Sequence, residues 1–377
     1  MMSPKITDEE FLAAREEGKT YREIAEEFGM NIRSVERRGV RLARQGHLHG
    51  NAHVAKHIPD GFGVKGTSTM IRADGSEVVR WVKSEVDRDR MVALMEAAQA
   101  AFCDDLPRAE PQPLDESKFY IEDQLALYPI FDLHIGAMAH KHECGENYDT
   151  STAEKVLNRF FDYSVSVAPQ SQKAVLLVGG DFLHSDGLDA VTPASGHVLD
   201  QDSRYAKLVY VAIRSLRRAV SLLLNNHAEV EVQVIEGNHD QAGMIWLRAA
   251  LAAFYENEPR VFVDVSPAIL HRTLWGKTML GYTHGHTMKK PETRLAAMAT
   301  DFRKEFGQCD YIYTHSGHWH HQTVTEHSLG IDEVHGQLGA KDAYAARGGW
   351  RSYRQAAVIL YSKEYGEVGR FIYRPNM

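Results

Sequence analysis

Five groups of histidine, carboxylate and amide residues occur along the sequence, each directly after a run with the composition of a β-strand. In chain order they are Asp132-Leu133-His134, Gly180-Asp181 with His184, Gly237-Asn238-His239-Asp240, His284-Gly285-His286 and Gly317-His318-Trp319-His320. One such group alone is a weak signal, but five in order are specific. Ligands of α/β sheets bind beyond the carboxyl ends of the strands, so we expect these groups to converge there.

The residue types in the five groups suit divalent cations. Carboxylates, imidazoles and one amide, without thiolate, are ligands for Mn, Fe or Zn. Residues two apart on a strand face the same side, so Asp132 and His134 can share an ion, as can His318 and His320 if locally extended. Glycines before positions 181, 238 and 318 allow sharp turns that bring those side chains close to a metal.

From residue 119 onward, strand-like and helix-like runs alternate, which predicts an α/β core with a mixed sheet. The predicted strands cover residues 125–131, 174–178, 230–235, 261–265, 268–274, 278–282, 311–313, 322–326, 356–361 and 369–373. The predicted helices lie near residues 152–166, 203–225, 244–256 and 291–306. Each of the five groups therefore follows a predicted strand.

The ordered motifs Asp-x-His, Gly-Asp, Gly-Asn-His-Asp, His-Gly-His and Gly-His-x-His resemble those of the calcineurin-like metallophosphoesterase superfamily, over residues 125–325. The resemblance implies two packed mixed β-sheets flanked by helices and a site for two divalent metal ions, with Mn²⁺ favoured over Fe or Zn. The implied ligands are Asp132, His134 and His320 for the first ion, Asn238, His284 and His318 for the second, and Asp181 for both. The implied chemistry is hydrolysis of a phosphoester by a metal-bridging hydroxide.

The resemblance also implies catalytic roles. His239 is the expected general acid or transition-state stabiliser, with Asp240 orienting it. His184 stands where many phosphatases of the superfamily carry a second Asp, an arrangement that resembles the nuclease of double-strand-break repair and favours a phosphodiester substrate. Asp186 or Asp189 are alternatives for the missing Asp, and His286 is an alternative to His284 as a ligand.

The net charge of −8 is not evenly distributed over the 377 residues. Residues 1–50 hold nine Lys/Arg and nine Asp/Glu, whereas residues 31–44 hold five arginines and one Glu. Thr7 and Thr20, each followed three residues later by Glu, predict helix starts, and a third helix follows Gly29. The pattern indicates a helix-turn-helix in residues 1–46 whose candidate DNA-binding residues are Arg33, Arg37, Arg38, Arg41 and Arg44. Its alternatives are a protein-interaction module or a solvated charged helix.

Residues 47–118 are predicted to form a linker with a β-hairpin and a helix, ahead of a catalytic domain in residues 119–377. A helix-turn-helix before such a domain resembles metallophosphoesterases encoded by bacteriophages. Near the carboxyl end, basic and aromatic residues are interleaved, which suits phosphate pairing and base stacking. The candidate substrate-binding residues there are Arg347, Trp350, Arg351 and Arg354; the alternative is an ordinary surface loop.

These features together predict a metal-dependent phosphodiester hydrolase, most specifically a DNA nuclease tethered by its amino-terminal helices. One alternative is a phosphatase or small (cyclic) nucleotide phosphodiesterase whose amino-terminal part binds a protein; another is an inactive DNA-binding regulator. No run approaches the 18 apolar residues of a membrane span, the amino terminus lacks a signal-peptide pattern, and the three cysteines suit a reducing compartment. We therefore expect a cytoplasmic protein without membrane partners, and a homodimer by analogy.

Overall fold

The computed structural model describes residues 6–44, 62–71, 77–86, 108–193, 195–341, 343–349 and 351–375. The chain divides into two compact units, Met1–Ala101 and Phe102–Met377, which we call the head and the body. The helix predicted near residues 87–102 lies outside the described residues. The predicted domain division at residues 46 and 118 stays a prediction.

Three helices open the head: α1 (Asp8–Glu16), α2 (Tyr21–Glu27) and α3 (Ile32–Arg44). Thr7 and Thr20 each form a reciprocal capping box with the Glu three residues later, as the sequence predicts. Buried side chains from all three helices, including Phe11, Ile24 and Val35, form a small core. Strands β1 (Phe62–Ile71) and β2 (Glu77–Val86) pair antiparallel where the sequence predicts a hairpin, and residues 72–76 between them lie outside the described residues.

The body contains two mixed β-sheets, and the first has six strands. They are β3 (Ile121–Ile130), β4 (Ser171–Val178), β5 (Glu229–Val234), β6 (Val261–Val263), β12 (Ala356–Ser362) and β13 (Gly366–Tyr373). Their order is β13-β12-β3-β4-β5-β6. Strands β3 to β6 are parallel, and β12 runs antiparallel to both of its neighbours.

The second sheet has five strands in the order β10-β11-β9-β8-β7. They are β7 (His271–Trp275), β8 (Thr278–Tyr282), β9 (Tyr311–Ser316), β10 (Thr323–His327) and β11 (Gly330–Val334). Strands β8, β9 and β11 are parallel, whereas β7 and β10 are antiparallel to their partners. The sequence pattern did not predict β11.

Helices cover the outer faces of both sheets. They are α4 (Lys141–Cys144), α5 (Thr150–Val167), α6 (Tyr205–Asn226), α7 (Gln241–Phe254), α8 (Pro291–Asp301), α9 (Arg303–Phe306) and α10 (Ala343–Arg347). Among the described residues, none of the helices is long and apolar enough to cross a membrane.

Alternating side chains on the strands hold these layers together. On β4, Val175 and Leu177 pack between the sheets with Leu280 and Tyr282 of β8, while Leu176 faces the core beneath α5 and α6. Both faces of the first sheet are therefore buried, which explains the continuous apolar runs of its parallel strands. The predicted fold class, α/β with two packed mixed sheets flanked by helices, is confirmed.

Candidate metal centre

All five sequence groups lie at the carboxyl ends of parallel strands. Three follow β3, β4 and β5 of the first sheet, and two follow β8 and β9 of the second. Because the sheets pack face to face, these ends meet along one edge of the body. Groups that are far apart along the chain therefore form a single cluster in space.

Five of the predicted ligands have left-handed backbone conformations. The φ angles are +51° for Asp132, +50° for His134, +48° for Asp181, +72° for His318 and +55° for His320, and no other non-glycine residue described has a positive φ. Such conformations cost of order 1–3 kcal/mol each and persist where the surroundings enforce them. The expectation of extended backbone at these pairs is wrong: tight turns, not strand alternation, direct the side chains inward.

Glycines beside these turns make room for the carboxylates. A Cβ added to Gly237 would lie 2.0 Å from Oδ1 of Asp181, and one added to Gly317 would lie 2.6 Å from Oδ2 of Asp132. Both separations are too short for any side chain. These glycines are therefore required by the close approach of the carboxylates.

The first cluster consists of Asp132, His134 and His320, whose ligand atoms all lie within 4.8 Å of one another. Nε2 of His320 is 3.4 Å from both Nε2 of His134 and Oδ1 of Asp132. Oδ2 of Asp132 accepts a hydrogen bond from the amide of His318 at 2.9 Å, which fixes the carboxylate. One oxygen is thereby held by the backbone and the other points into the cluster.

The second cluster consists of Asp181, His284 and His318, again within 4.8 Å. Nε2 of His284 is 3.2 Å from Oδ2 of Asp181 and 3.9 Å from Oδ1 of Asp132, so the two clusters adjoin. Nδ1 of His284 donates to the carbonyl of Gly179 at 3.0 Å, which leaves Nε2 directed toward the carboxylates. This geometry favours His284 over His286.

The buried polar atoms in this region that lack a hydrogen-bond partner include Oδ1 of Asp132, Oδ1 of Asn238 and Nε2 of His284, although Nε2 of His284 lies 3.2 Å from Oδ2 of Asp181. Buried polar atoms are normally paired, so each one calls for an explanation. All three belong to the predicted ligand set, and a divalent cation accepts this mixture of oxygen and imidazole donors. The residues present therefore fit a metal centre.

The electrostatics of the site also favour added positive charge. Burial alone would lower the pKa of His284, but the charges of Asp181 and Asp132 raise it to about 10. Burial would raise the pKa of Asp181, yet the neighbouring histidines, His284 first, hold it well below its usual range. A proton on His284 thus compensates the buried carboxylates, a task that a bound cation would also perform.

His239 and His184 lie beside the first cluster. Nδ1 of His184 is 3.4 Å from Nδ1 of His134, and the His239 ring is centred 4.8 Å from the His134 ring. Nδ1 of His239 lies 2.9 Å from the carbonyl of His184, to which it can only donate. The carbonyl of His184, rather than a carboxylate, orients the His239 ring.

The predicted role of Asp240 needs correction for this reason. Its buried carboxylate accepts hydrogen bonds from the backbone amides of Asp181, Phe182, Leu183 and Gly237 at 2.7–3.2 Å. Burial, and then the charge of Asp181, raise its pKa to about 7. Asp240 therefore joins the loops after β4 and β5, and its contacts are with backbone rather than with the His239 ring.

The alternative carboxylate Asp186 also has a structural contact. Its two oxygens accept the amides of Ala242 and Gly243 at 2.7 and 2.6 Å, at the start of α7. A carboxylate at a helix amino terminus is stabilised by the exposed amides there. Asp189 has no contact with the two clusters among those that the structure describes.

The basic segment near the carboxyl end lies partly outside the centre. Arg354 is largely buried: it donates to the carbonyl of Leu338 and pairs with Glu146 at 2.5 Å. Arg347 is exposed and pairs with Glu143, and Arg351 donates to the carbonyl of Ala346. Trp350 lies outside the described residues.

The head arginines divide into paired and exposed residues. Arg41 forms an ion pair with Asp8 at 2.5 Å, and Arg38 donates to the carbonyl of Ile6. Arg33 and Arg37 are exposed on α3. Nothing is described of the Arg44 side chain.

A further buried group, which the sequence did not single out as a set, lies at β9 and β11: His315, Glu333 and His335, hereafter the inner cluster. His335 stacks on Phe131, the residue before Asp132, with ring centres 5.0 Å apart. Trp319, which lies between the candidate ligands His318 and His320, has no role predicted from the sequence. Its indole is 42% exposed and edges onto the His318 ring.

Comparison with known proteins gives fold-level neighbours only. No family model and no curated protein matches the chain. Similar solved structures include a predicted phosphoesterase from Streptococcus pneumoniae (10% identity, TM-score 0.30, 67% of this chain and 99% of the other) and an archaeal phosphodiesterase (12%, 0.33, 66% and 99%). A third is a dimetal phosphatase from Danio rerio (9%, 0.35, 67% and 98%). These identities and TM-scores are too low to transfer an activity, so function is inferred from the chain's own geometry.

Proposed function

We propose that this chain hydrolyses phosphodiesters with the help of two divalent cations, and that its substrate is DNA. The observation that carries the proposal is the set of buried, unpaired donor atoms of Asp132, Asn238 and His284 within one cluster of left-handed turns. A protein keeps such costly features where they serve binding or catalysis.

Two sets of residues would hold the cations, with Mn²⁺ as the proposed ion and Fe or Zn as alternatives. They are Asp132, His134 and His320 for one ion, Asn238, His284 and His318 for the other, and Asp181 between them. When bound, the cations would neutralise phosphoryl charge and activate water for in-line attack. The amide of His239, which donates to Oδ1 of Asp181 at 2.9 Å, keeps that carboxylate in place.

His239 is the proposed proton donor. Because Nδ1 of His239 donates to the carbonyl of His184, Nε2 is the ring nitrogen available to protonate the departing oxygen. His184 itself fills the place beside His134 where a second carboxylate would add negative charge. The resemblance of Gly180-Asp181-x-x-His184 to the arrangement in the nuclease of double-strand-break repair is what supports a diester substrate.

A panel of substrates tests the proposal. With Mn²⁺, we expect the purified chain to cleave labelled single-stranded or duplex DNA and a chromogenic phosphodiester, and to hydrolyse a phosphomonoester less efficiently. Cleavage of the monoester alone would contradict the diester assignment, and cleavage of small diesters alone would contradict DNA as the substrate. His239→Ala should retain Mn²⁺ binding but slow the reaction about 10²-fold, the range of a lost general acid. The exposed residue His142 gives the matched control, His142→Ala.

DNA tethering by the head is the second part of the proposal. The exposed pair Arg33 and Arg37 supports it, since Arg41 is already paired with Asp8. Replacing Arg33 and Arg37 together by Ala should weaken duplex binding and reduce the salt dependence of the affinity by about two ion equivalents. Arg41→Ala should change that slope less. If the double variant binds duplex DNA with unchanged affinity, the head has a partner other than DNA.

A further inference from the structure

Trp319 is an exposed aromatic residue set between two proposed metal ligands. Its indole is 42% exposed, although a side chain as large as tryptophan normally gains stability from burial. The ring centre lies 5.2 Å from that of His318, at an interplanar angle of 73°. The ring contact described for the indole is this edge contact with His318, and the exposed part of the indole faces solvent beside the centre.

The loop holds its shape through backbone contacts that do not involve the indole. The amide of Trp319 donates to the carbonyl of Gly317 at 2.9 Å, and its carbonyl accepts from Nδ1 of His321 at 2.8 Å. The amide of His318 is fixed separately by Oδ2 of Asp132. The indole is therefore not required to maintain the turns that direct the ligands.

The basic and aromatic segment before β12 is joined to this same loop. Nε2 of Gln355 donates to Oε1 of Gln322 at 2.6 Å, and the Gln355 amide donates to the carbonyl of Gln337 at 3.0 Å. These bonds place residues 351–355, with exposed Arg351 and Tyr353, next to the loop that carries Trp319. An exposed indole beside a proposed metal centre offers a face on which a base can stack, and Arg351 and Tyr353 belong to the segment that is hydrogen-bonded to its loop.

We propose that Trp319 forms a base-binding subsite, in which the indole stacks on a nucleobase next to the phosphate that is cleaved. The inference rests on the proposed function and specifies its substrate as a strand whose bases are unpaired at the site of cleavage. Stacking on a π-face tolerates any base, so the subsite recognises nucleotides without selecting a sequence. Hydrolysis of a diester that lacks a base would not depend on Trp319.

Two oligomers of equal length and charge test this subsite: ten thymidine nucleotides, and ten abasic tetrahydrofuran nucleotides on the same phosphate backbone. We expect the full-length chain with Mn²⁺ to prefer the thymidine strand. Trp319→Ala should lower kcat/KM for that strand about 10- to 100-fold, mainly through KM, and leave the abasic strand unchanged. Trp319→Phe, which keeps an aromatic face, should restore most of the loss.

Other outcomes would overturn the inference. Equal losses on both oligomers, or a weaker Mn²⁺ affinity of Trp319→Ala by calorimetry, would show that the indole positions His318 rather than a base. Unchanged cleavage of the thymidine strand would remove any substrate contact. If the unsubstituted chain cleaves neither oligomer yet hydrolyses a small diester, the assignment of DNA as the substrate is wrong. That outcome differs from one in which only the base-binding subsite fails.

Discussion

The metal centre and the inner cluster use the same residue types but differ in how their polar atoms are satisfied. In both, three ligand atoms lie within 4.8 Å of one another. In the inner cluster, Nε2 of His315 lies 3.1 Å from the Tyr361 hydroxyl, and Nδ1 of His315 lies 2.9 Å from Nε2 of His335. Arg370 donates to both oxygens of Glu333 at 2.9 and 3.0 Å. In the metal centre, by contrast, several donor atoms remain unpaired.

The difference shows what distinguishes a site built for a cation from a structural network. The hydrogen bonds of the inner cluster can all be formed at once if the Tyr361 hydroxyl donates to His315 and His315 donates to His335. The Arg370 charge already compensates Glu333, so a cation there would displace hydrogen bonds and meet a guanidinium. His315 and Glu333 also lie on regular strands, whereas five of the seven proposed ligands of the metal centre have left-handed backbone conformations. Ligand atoms without hydrogen-bond partners, together with left-handed backbone, distinguish the proposed metal centre from the inner cluster. The number of histidines does not.

The largest expected effect is a loss of Mn²⁺ binding that occurs in a variant of the metal centre and not in a matched variant of the inner cluster. Asp181→Asn keeps the side-chain volume but removes the charge shared by the proposed sites, so we expect loss of Mn²⁺ binding and a fall in kcat of at least about 10³-fold. Glu333→Gln makes the same chemical change in the inner cluster and should leave Mn²⁺ affinity unaltered. Calorimetric titration and a diester assay measure both. Equal loss of Mn²⁺ in the two variants would contradict the comparison.

The second effect concerns stability. Arg370→Ala leaves the buried Glu333 carboxylate without its cation, which should lower the free energy of unfolding by about 3 kcal/mol. Arg218→Ala breaks the more exposed pair with Asp162 and should cost less than about 1 kcal/mol. Urea denaturation of both variants gives the comparison. A similar small cost for each would mean that the inner cluster tolerates an unpaired charge.

Much of this arrangement could be predicted from the sequence. Apolar runs predicted the parallel strands of the body, because burial on both faces leaves a continuous apolar pattern. The order of the five polar groups placed Asp132, Asp181 and His284 at strand ends. Strand ends of a packed sheet lie together, so the cluster followed from topology alone.

Other features depend on contacts that one sequence cannot show. The strand β11 is polar and short, and it adds to the sheet beside β9, which no local pattern indicates. Asp240 follows His239 in the chain, but its carboxylate turns to four amides of neighbouring loops, a choice decided by three-dimensional packing. The left-handed turns at Asp132 and His318 also escape prediction, since Asp and His are enriched in this conformation but adopt it at only a small fraction of positions.

The third prediction uses the pH dependence of stability. Burial, and then the neighbouring His335, lower the pKa of His315 to about 3, below the value of about 6.5 in an unfolded chain. The unfolded state therefore binds an extra proton as the pH falls from 6.5 toward 3, and the contribution to stability present above pH 6.5 is lost in that range. Between pH 6.5 and 5, the loss should be about 2 kcal/mol.

Between pH 6.5 and 5, Glu333, whose pKa in the folded chain is lowered to about 2, stays ionised, and Arg370 stays protonated. Burial also lowers the pKa of His335, so its proton uptake on unfolding adds to that of His315 in both the unsubstituted chain and the variant. Replacing His315 by Gln should therefore flatten the slope of unfolding free energy against pH by about one proton. His142→Gln, at an exposed position, should leave it unchanged. A slope equal to that of the unsubstituted chain in His315→Gln would place the proton uptake elsewhere, in the histidines of the metal centre first.

The smallest effect tests the end of the hydrogen-bonded chain. Tyr361→Phe removes the hydroxyl that faces Nε2 of His315 and leaves that buried nitrogen without its partner, which should cost about 1 kcal/mol of unfolding free energy. Tyr373→Phe is the matched control, because the buried Tyr373 hydroxyl has no hydrogen-bond partner within the described part of the chain, and its loss should be neutral. If both variants are neutral, the inner cluster does not depend on complete donor pairing. Donor pairing would then no longer distinguish the inner cluster from the metal centre, which makes this small difference the strictest check on the comparison.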